Sequence, residues 1–236
     1  MVLVSYSNSF VYLRPRKTAS TTTELILSTY CRGPKDIVGP TGDSDRHRLR
    51  ELFQLPATKN HQIPAWKVRP RHIRNALRRG RSRPEMENHT SAQELDHILG
   101  IKLQQLLIIS STREPFDRII SLYHFRTESL NPRPSFLEWF WSKPEHIVRE
   151  LRETTLLNGF DCVDYYIRQD DVEGSIRLMC ERFKLEPPPE QLFAALGITR
   201  KPSDRDRALG ITNYFDSSAI EFVEREFAKE FLRHGY

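Results

Sequence analysis

The sequence predicts one α/β domain over residues 1–236, with a central parallel sheet flanked by helices in three layers. Three observations lead there. A β-branched and aromatic run at residues 9–13 passes through a short loop into a helical segment, and a continuous apolar run, Leu106-Leu107-Ile108-Ile109, does the same. Uninterrupted apolar strands of this kind are buried on both faces, the situation of a strand in a parallel sheet. Strands that alternate with helices then call for a parallel α/β arrangement, whose ligands sit beyond the carboxyl ends of the strands.

Each element has its own local warrant. Thr21 and Glu24 fit the S/T-x-x-E capping box, and Ser20 is an alternative cap for the first helix. Ile37-Val38, set between Gly33-Pro34 and Gly39-Pro40, reads as a short strand, and residues 43–55 read as a helix. Ser91 with Glu94 forms a second capping pair before a helix that runs to Leu99. From Pro115 onward, Phe116, Ile119, Ile120 and Tyr123 recur at helical spacing and define one buried face. Residues 160–167 read as a strand, 172–183 as a helix, and 218–232 as a closing helix with Ile220, Val223, Phe227 and Phe231 inward.

Composition narrows the class. At 236 residues, 38% hydrophobic and 28% charged, the chain can bury one substantial core and is too rich in apolar runs for a disordered protein. No apolar stretch approaches the ~20 residues of a membrane helix, and the early strand leaves no room for a leader or anchor. Cys31, Cys162 and Cys180 are odd in number and lack metal-ligand spacing, which favours small buried residues and a reducing, cytoplasmic setting; no metal site is expected. The net charge of +5 is uneven, because residues 59–84 hold nine lysines and arginines and no carboxylate. That block is a candidate anion-binding surface or a solvated basic insertion.

Two constellations carry chemistry. In the first, Lys17 opens a run of hydroxyl or small residues, Thr18, Ala19, Ser20, Thr21 and Thr22, between a strand and a helix. Backbone amides, the positive end of the helix dipole and a lysine at one spot suit a phosphate ester. The loop lacks both glycines of G-x-x-x-x-G-K-[ST], which disfavours a metal-nucleotide site. In the second, Arg113 ends the buried strand, while Arg118 and Ser121 share a helical face. An arginine fork plus a hydroxyl is a common way to hold a phosphate monoester.

Together these segments resemble the PAPS-dependent sulfotransferases (PAPS, 3′-phosphoadenosine 5′-phosphosulfate), in particular carbohydrate-modifying members of the heparan 2-O type. The family's 5′-phosphosulfate loop, P-K-T-[GA]-S-[ST]-[ST], is matched from Lys17 by residues 17–22, with Arg16 where the proline stands and Pro15 one place early. Its 3′-phosphate motif, R-[ND]-P-x-x-R-x-x-S-x-Y, is matched by residues 113–123 with Glu114 as the one departure. Weaker similarity covers residues 161–169 and 215–236, whereas residues 32–87 match nothing in the family.

The resemblance implies a P-loop-like three-layer fold and sulfuryl transfer from PAPS to a hydroxyl or amine, with no metal. It implies that Lys17 contacts the bridging oxygen, that Arg16 and residues 18–22 line the 5′-phosphosulfate, and that Arg113 and Ser121 hold the 3′-phosphate. His89, in His89-Thr90-Ser91-Ala92-Gln93-Glu94-Leu95, resembles the segment that carries a catalytic histidine in heparan-modifying members, and His61 and Glu94 are the fallback bases. On this reading the basic segment offers a surface to an acidic glycan acceptor. The rival readings are a P-loop kinase, opposed by the missing glycines, and a non-enzymatic polyanion or nucleic-acid binder, opposed by the lack of interleaved aromatics.

Overall fold

The computed structural model describes residues 2–18, 20–40, 44–198 and 210–236. Its strands are β1 (Leu3–Ser5), β2 (Phe10–Leu13), β3 (Ile37–Val38), β4 (Leu107–Thr112), β5 (Leu156–Leu157), β6 (Phe160–Asp161) and β7 (Tyr165–Arg168). Five of them form the central sheet in the order β3-β1-β2-β4-β7. β2, β4 and β7 are parallel, in a register that sets Val11 beside Ile108 and Ser110 beside Tyr166.

The sheet is mostly, not wholly, parallel. β1 runs antiparallel to both β2 and β3. Only a tight turn separates β1 from β2, and a connection that short can join only antiparallel strands. Asp36 holds the turn, accepting from the Tyr6 and Ser7 amides at 2.8 and 3.3 Å and from the Ser7 hydroxyl at 2.8 Å.

Strand alternation assigns the two faces. Phe10 and Tyr12 of β2 pack in one cluster with Leu25 and Leu27 of α1 (Ser20–Ser28), Ile176 and Met179 of α8 (Val172–Phe183) and Leu192 of α9 (Glu190–Ile198). Val11 and Leu13 pack in another with Ile63, Met86, and Leu95 and Ile98 of α4 (Ala92–Leu99). This gives the three layers, and each fully buried Leu, Ile or Phe contributes about 1.5–3 kcal/mol. α2 (Ser44–Leu52) lies beside the first cluster through Leu49, while α3 (Pro70–Arg78) forms within the basic segment.

A helical lobe completes the fold. It comprises α5 (Pro115–Thr127), α6 (Phe136–Trp141), α7 (Pro144–Arg152), α10 (Ser217–Glu226) and α11 (Ala228–His234). Its centre is aromatic, with Phe215 at 4.6 Å from Phe136 and 5.0 Å from Phe116 between ring centroids.

Two predicted elements are divided. The strand expected over residues 160–167 is two, because Asn158 and Gly159 adopt positive φ (52° and 82°) and fold β6 back on β5 as a hairpin. The closing helix breaks at Phe227, which leaves helical angles (φ −105°, ψ 18°) while buried in the aromatic lobe.

Candidate active site

The loop after β2 is built on buried charge. Arg14 donates from Nε to Ser20 Oγ at 2.9 Å and from Nη2 to Thr21 Oγ1 at 3.3 Å, and its Nη1 lies 3.1 Å from Glu24 Oε2. Glu24 is 0% exposed and also meets Arg50 at 3.5 Å. Ser20 and Thr21 both lie inside α1, so neither is its N-cap, and two buried guanidiniums hold the Glu24 carboxylate. The hydroxyls of Ser20 and Thr21 serve the same anchor, fixing where α1 begins.

Lys17 sits at the bend in this loop with φ 62°, the left-handed region that costs a non-glycine residue about 1–3 kcal/mol. Strain of this kind concentrates where loops hold ligands. The first turn of α1 carries no acidic side chain, which suits the binding of an anion at the positive end of its dipole. The Lys17 ammonium rests 4.7 Å from the centre of the Phe125 ring on α5. Thr18 is buried, with its hydroxyl bonded to the Pro15 carbonyl at 3.3 Å, and Thr22 is half-buried. Ala19 lies outside the described residues.

The segment after β4 grips that loop. Arg113 donates from Nη1 to the Lys17 carbonyl at 3.2 Å, and Arg118 donates from Nε to the neighbouring Arg16 carbonyl at 2.9 Å. Asp117 orients Arg113 by accepting from its Nε at 2.6 Å. Glu114, the departure from the 3′-phosphate pattern, caps α5 by accepting from the Asp117 amide at 2.6 Å. Burial lowers the Arg118 pKa to about 10, which leaves it charged at neutral pH, and its Nη2 also reaches the Leu151 carbonyl at 2.5 Å. Sequence reasoning placed Arg118 with Ser121 and did not anticipate its hold on residue 16.

His89 meets the same loop at the Arg14 carbonyl. Its Nδ1 lies 2.9 Å from the Arg14 carbonyl, so Nδ1 carries the hydrogen and Nε2 keeps its lone pair. Burial first, and then the charges of Arg14 and Arg16, push its pKa down to about 3, so the ring is neutral at neutral pH. It lines a cavity of about 230 Å³ together with His72, Thr90, Ser91 and Glu94.

The family model described as the sulfotransferase family matches residues 1–165, a span that takes in both loop motifs and His89. The chain belongs to the sulfotransferase family. No curated protein and no solved structure matches it.

The remaining predicted residues of this sulfotransferase fall as follows. Ser121 is 1% exposed, on the buried side of α5. Arg16, whose charge had no partner in the sequence reading, pairs with Glu150 of α7 at 3.3 Å. His61 faces Glu85 at 3.5 Å, outside the cavity lining, and Glu94 meets His72 at 2.6 Å inside it. Among the described residues, no group of three or more His, Cys, Asp and Glu side chains could hold a metal ion, and no helix is long and apolar enough to cross a membrane.

Sequence reasoning did not find Arg50 and Glu150, the partners that fix Glu24 and Arg16. Both lie on elements far along the chain with no motif around them, so only the tertiary fold could reveal them.

Proposed function

We propose that this sulfotransferase moves a sulfuryl group from PAPS to a hydroxyl or amine of an acceptor, with a carbohydrate hydroxyl as the favoured case. One observation carries the reading. Three segments distant in sequence meet at one short loop, with Arg113 on the Lys17 carbonyl at 3.2 Å and His89 on the Arg14 carbonyl at 2.9 Å. A loop contacted by a fixed arginine at Lys17 and by a neutral histidine at Arg14 has the makings of a donor site next to an acceptor site.

The residues fit an anionic nucleotide. Lys17, the N-terminus of α1 and the guanidinium of Arg113, held by Asp117, present donors at the carboxyl ends of β2 and β4. PAPS, when bound, supplies the sulfuryl group and a phosphate leaving group. Lys17 stabilises the charge that develops on the bridging oxygen as the sulfur–oxygen bond breaks, aided by the amides of residues 18–22 and the hydroxyls of Ser20, Thr21 and Thr22. Arg113 and Ser121 hold the 3′-phosphate, with Ser121 acting from a buried position on α5.

His89 is the base. Its Nε2 lone pair, fixed by the Nδ1 contact to Arg14, takes the proton from the acceptor as that oxygen or nitrogen attacks sulfur. A histidine with a pKa of about 3 is a weak base, and part of the depression comes from Arg14 and Arg16. An anion on the loop offsets those charges and raises the basicity of His89 when the donor is in place.

The test is direct. Incubation with PAPS and a hydroxyl-bearing acceptor is expected to yield sulfated acceptor and an equal amount of adenosine 3′,5′-bisphosphate, and Lys17→Ala is expected to abolish both. Unimpaired transfer in Lys17→Ala would defeat the assignment.

A further inference from the structure

Helix α3 has two faces with different surroundings. His72 and Ala76 are buried, and with Asn75 and Arg79 they line the cavity that holds His89. Ile73 and Leu77, one turn apart on the outward side, are 50% and 73% exposed. Trp66, in a single 3₁₀ turn four residues before the helix, is 82% exposed. One exposed apolar side chain is ordinary, but three large ones within twelve residues, a tryptophan among them, mark a contact surface.

The charges on this segment are all positive, since residues 59–84 hold no carboxylate. Part of that charge is taken up by the fold. Arg71 and, at 4.0 Å, Arg69 meet Glu94, while Arg79 meets Glu87 at 3.0 Å and Arg81 meets Glu85 at 2.9 Å. Arg74 and Arg78 differ: both are exposed, and neither pairs with a carboxylate among the described residues. Each follows an apolar residue by one position, which sets it about 100° round the helix from Ile73 or Leu77, at the edge of the apolar stripe.

We propose that α3 and Trp66 form a docking surface for an anionic lipid bilayer, on which the protein rests peripherally. Exposed Trp, Ile and Leu beside arginines without carboxylate partners is the pattern of a helix that lies in the membrane interface. Trp66, Ile73 and Leu77 enter the headgroup–acyl boundary, where an indole ring finds both an apolar and a polar side. Arg74 and Arg78 keep their guanidiniums at the lipid phosphates while their stems cover apolar surface. A nucleic acid or acidic glycan would meet the arginines but offer Ile73 and Leu77 no apolar phase. A second copy of the chain would set Arg74 and Arg78 against their own like charges. The donor loop and His89 take no part in this contact, so its outcome is independent of the sulfotransferase reading.

The test mixes the chain with vesicles of phosphatidylcholine alone, or of equal parts phosphatidylcholine and phosphatidylserine, with bromine on the acyl chains. Binding is read by co-sedimentation and insertion by quenching of tryptophan fluorescence. The protein is expected to bind the phosphatidylserine vesicles and be quenched by them, and to bind phosphatidylcholine alone weakly. Trp66→Phe is expected to remove most of the quenching while binding persists. Arg74→Glu with Arg78→Glu, and separately Ile73→Ser with Leu77→Ser, are each expected to weaken binding about tenfold or more. All four positions are exposed, so unchanged thermal melts are expected, and Trp66→Ala, outside the helix, carries the test if either pair melts early. Failure to bind the phosphatidylserine vesicles would overturn the proposal. So would binding that is unquenched, that survives Ile73→Ser with Leu77→Ser, and that a DNA duplex matches in affinity, since the face would then be a polyanion contact.

Discussion

Arg113 donates to the backbone carbonyl of Lys17 at 3.2 Å, across 96 residues of sequence. Arg118 does the same to Arg16, so two arginines on one segment hold two successive carbonyls on another. The loop that bends at Lys17 is thus shaped by the segment proposed to hold the 3′-phosphate, and neither half of the donor site is complete without the other.

Arg113→Ala is expected to weaken adenosine 3′,5′-bisphosphate binding by about 1.5–3 kcal/mol, the range for a hydrogen bond to a charged group. Calorimetry measures it. Arg113→Lys is expected to restore little, because an ammonium cannot serve Asp117, the Lys17 carbonyl and a phosphate with one planar fork.

Glu24→Gln tests the foundation of the loop. The substitution leaves the buried Arg14 and Arg50 without their shared carboxylate, a loss that typically costs about 3–5 kcal/mol. A denaturant titration is expected to show a lower midpoint with an unchanged slope; an unchanged midpoint would remove the buried charges from the account of why α1 starts at Ser20.

For His89, the split between chemistry and binding is the informative readout. His89→Ala is expected to reduce kcat about 10²-fold or more while donor affinity changes little. Near-normal turnover would take His89 out of the mechanism and leave Glu94 as the carboxylate in the same cavity.

The pH dependence of stability follows from depressed histidines. His89 titrates at about 3 and His234 at about 4 in the folded protein, and burial is the main cause for both. Unfolded histidines bind protons near pH 6.5, so in the window below that value the unfolded state holds more protons than the folded one. Stability is therefore full above about pH 6.5 and falls as pH drops toward the folded values, by up to about 1.4 kcal/mol per pH unit for each group. Thermal melts from pH 7 to pH 4.5 are expected to show a falling Tm, with a shallower slope in His89→Gln. Equal slopes would argue that His89 titrates normally.

What could be read from the sequence was what local patterns encode. The apolar strand ending at Arg113, the helix begun by Pro115 and the Ser91 cap are all present, the last with the Glu94 amide bonded to Ser91 Oγ at 3.3 Å. The second half of that capping pair is different, since the Glu94 carboxylate turns to His72 and Arg71 instead of back to the helix end. Thr21 and Glu24 fit the same pattern, but Thr21 lies inside α1 and the Glu24 carboxylate meets Arg14 and Arg50. The Asn158-Gly159 hairpin had a sequence signal that the strand-like composition of residues 160–167 obscured. Among the nine cations of the basic segment, Arg71, Arg79 and Arg81 pair with Glu94, Glu87 and Glu85 just beyond the carboxylate-free stretch, contacts that the one-dimensional charge pattern does not display.

The central claim is that Lys17 and Arg113 build a site for a 3′-phosphorylated adenosine nucleotide. Titration of the protein with adenosine 3′,5′-bisphosphate, ADP, AMP and ATP with magnesium tests it most directly. The account predicts that the 3′,5′-bisphosphate binds most tightly and that Arg113→Ala removes its advantage over ADP. Tighter binding of ATP with magnesium, or a preference for the 3′-phosphate that survives Arg113→Ala, would contradict it.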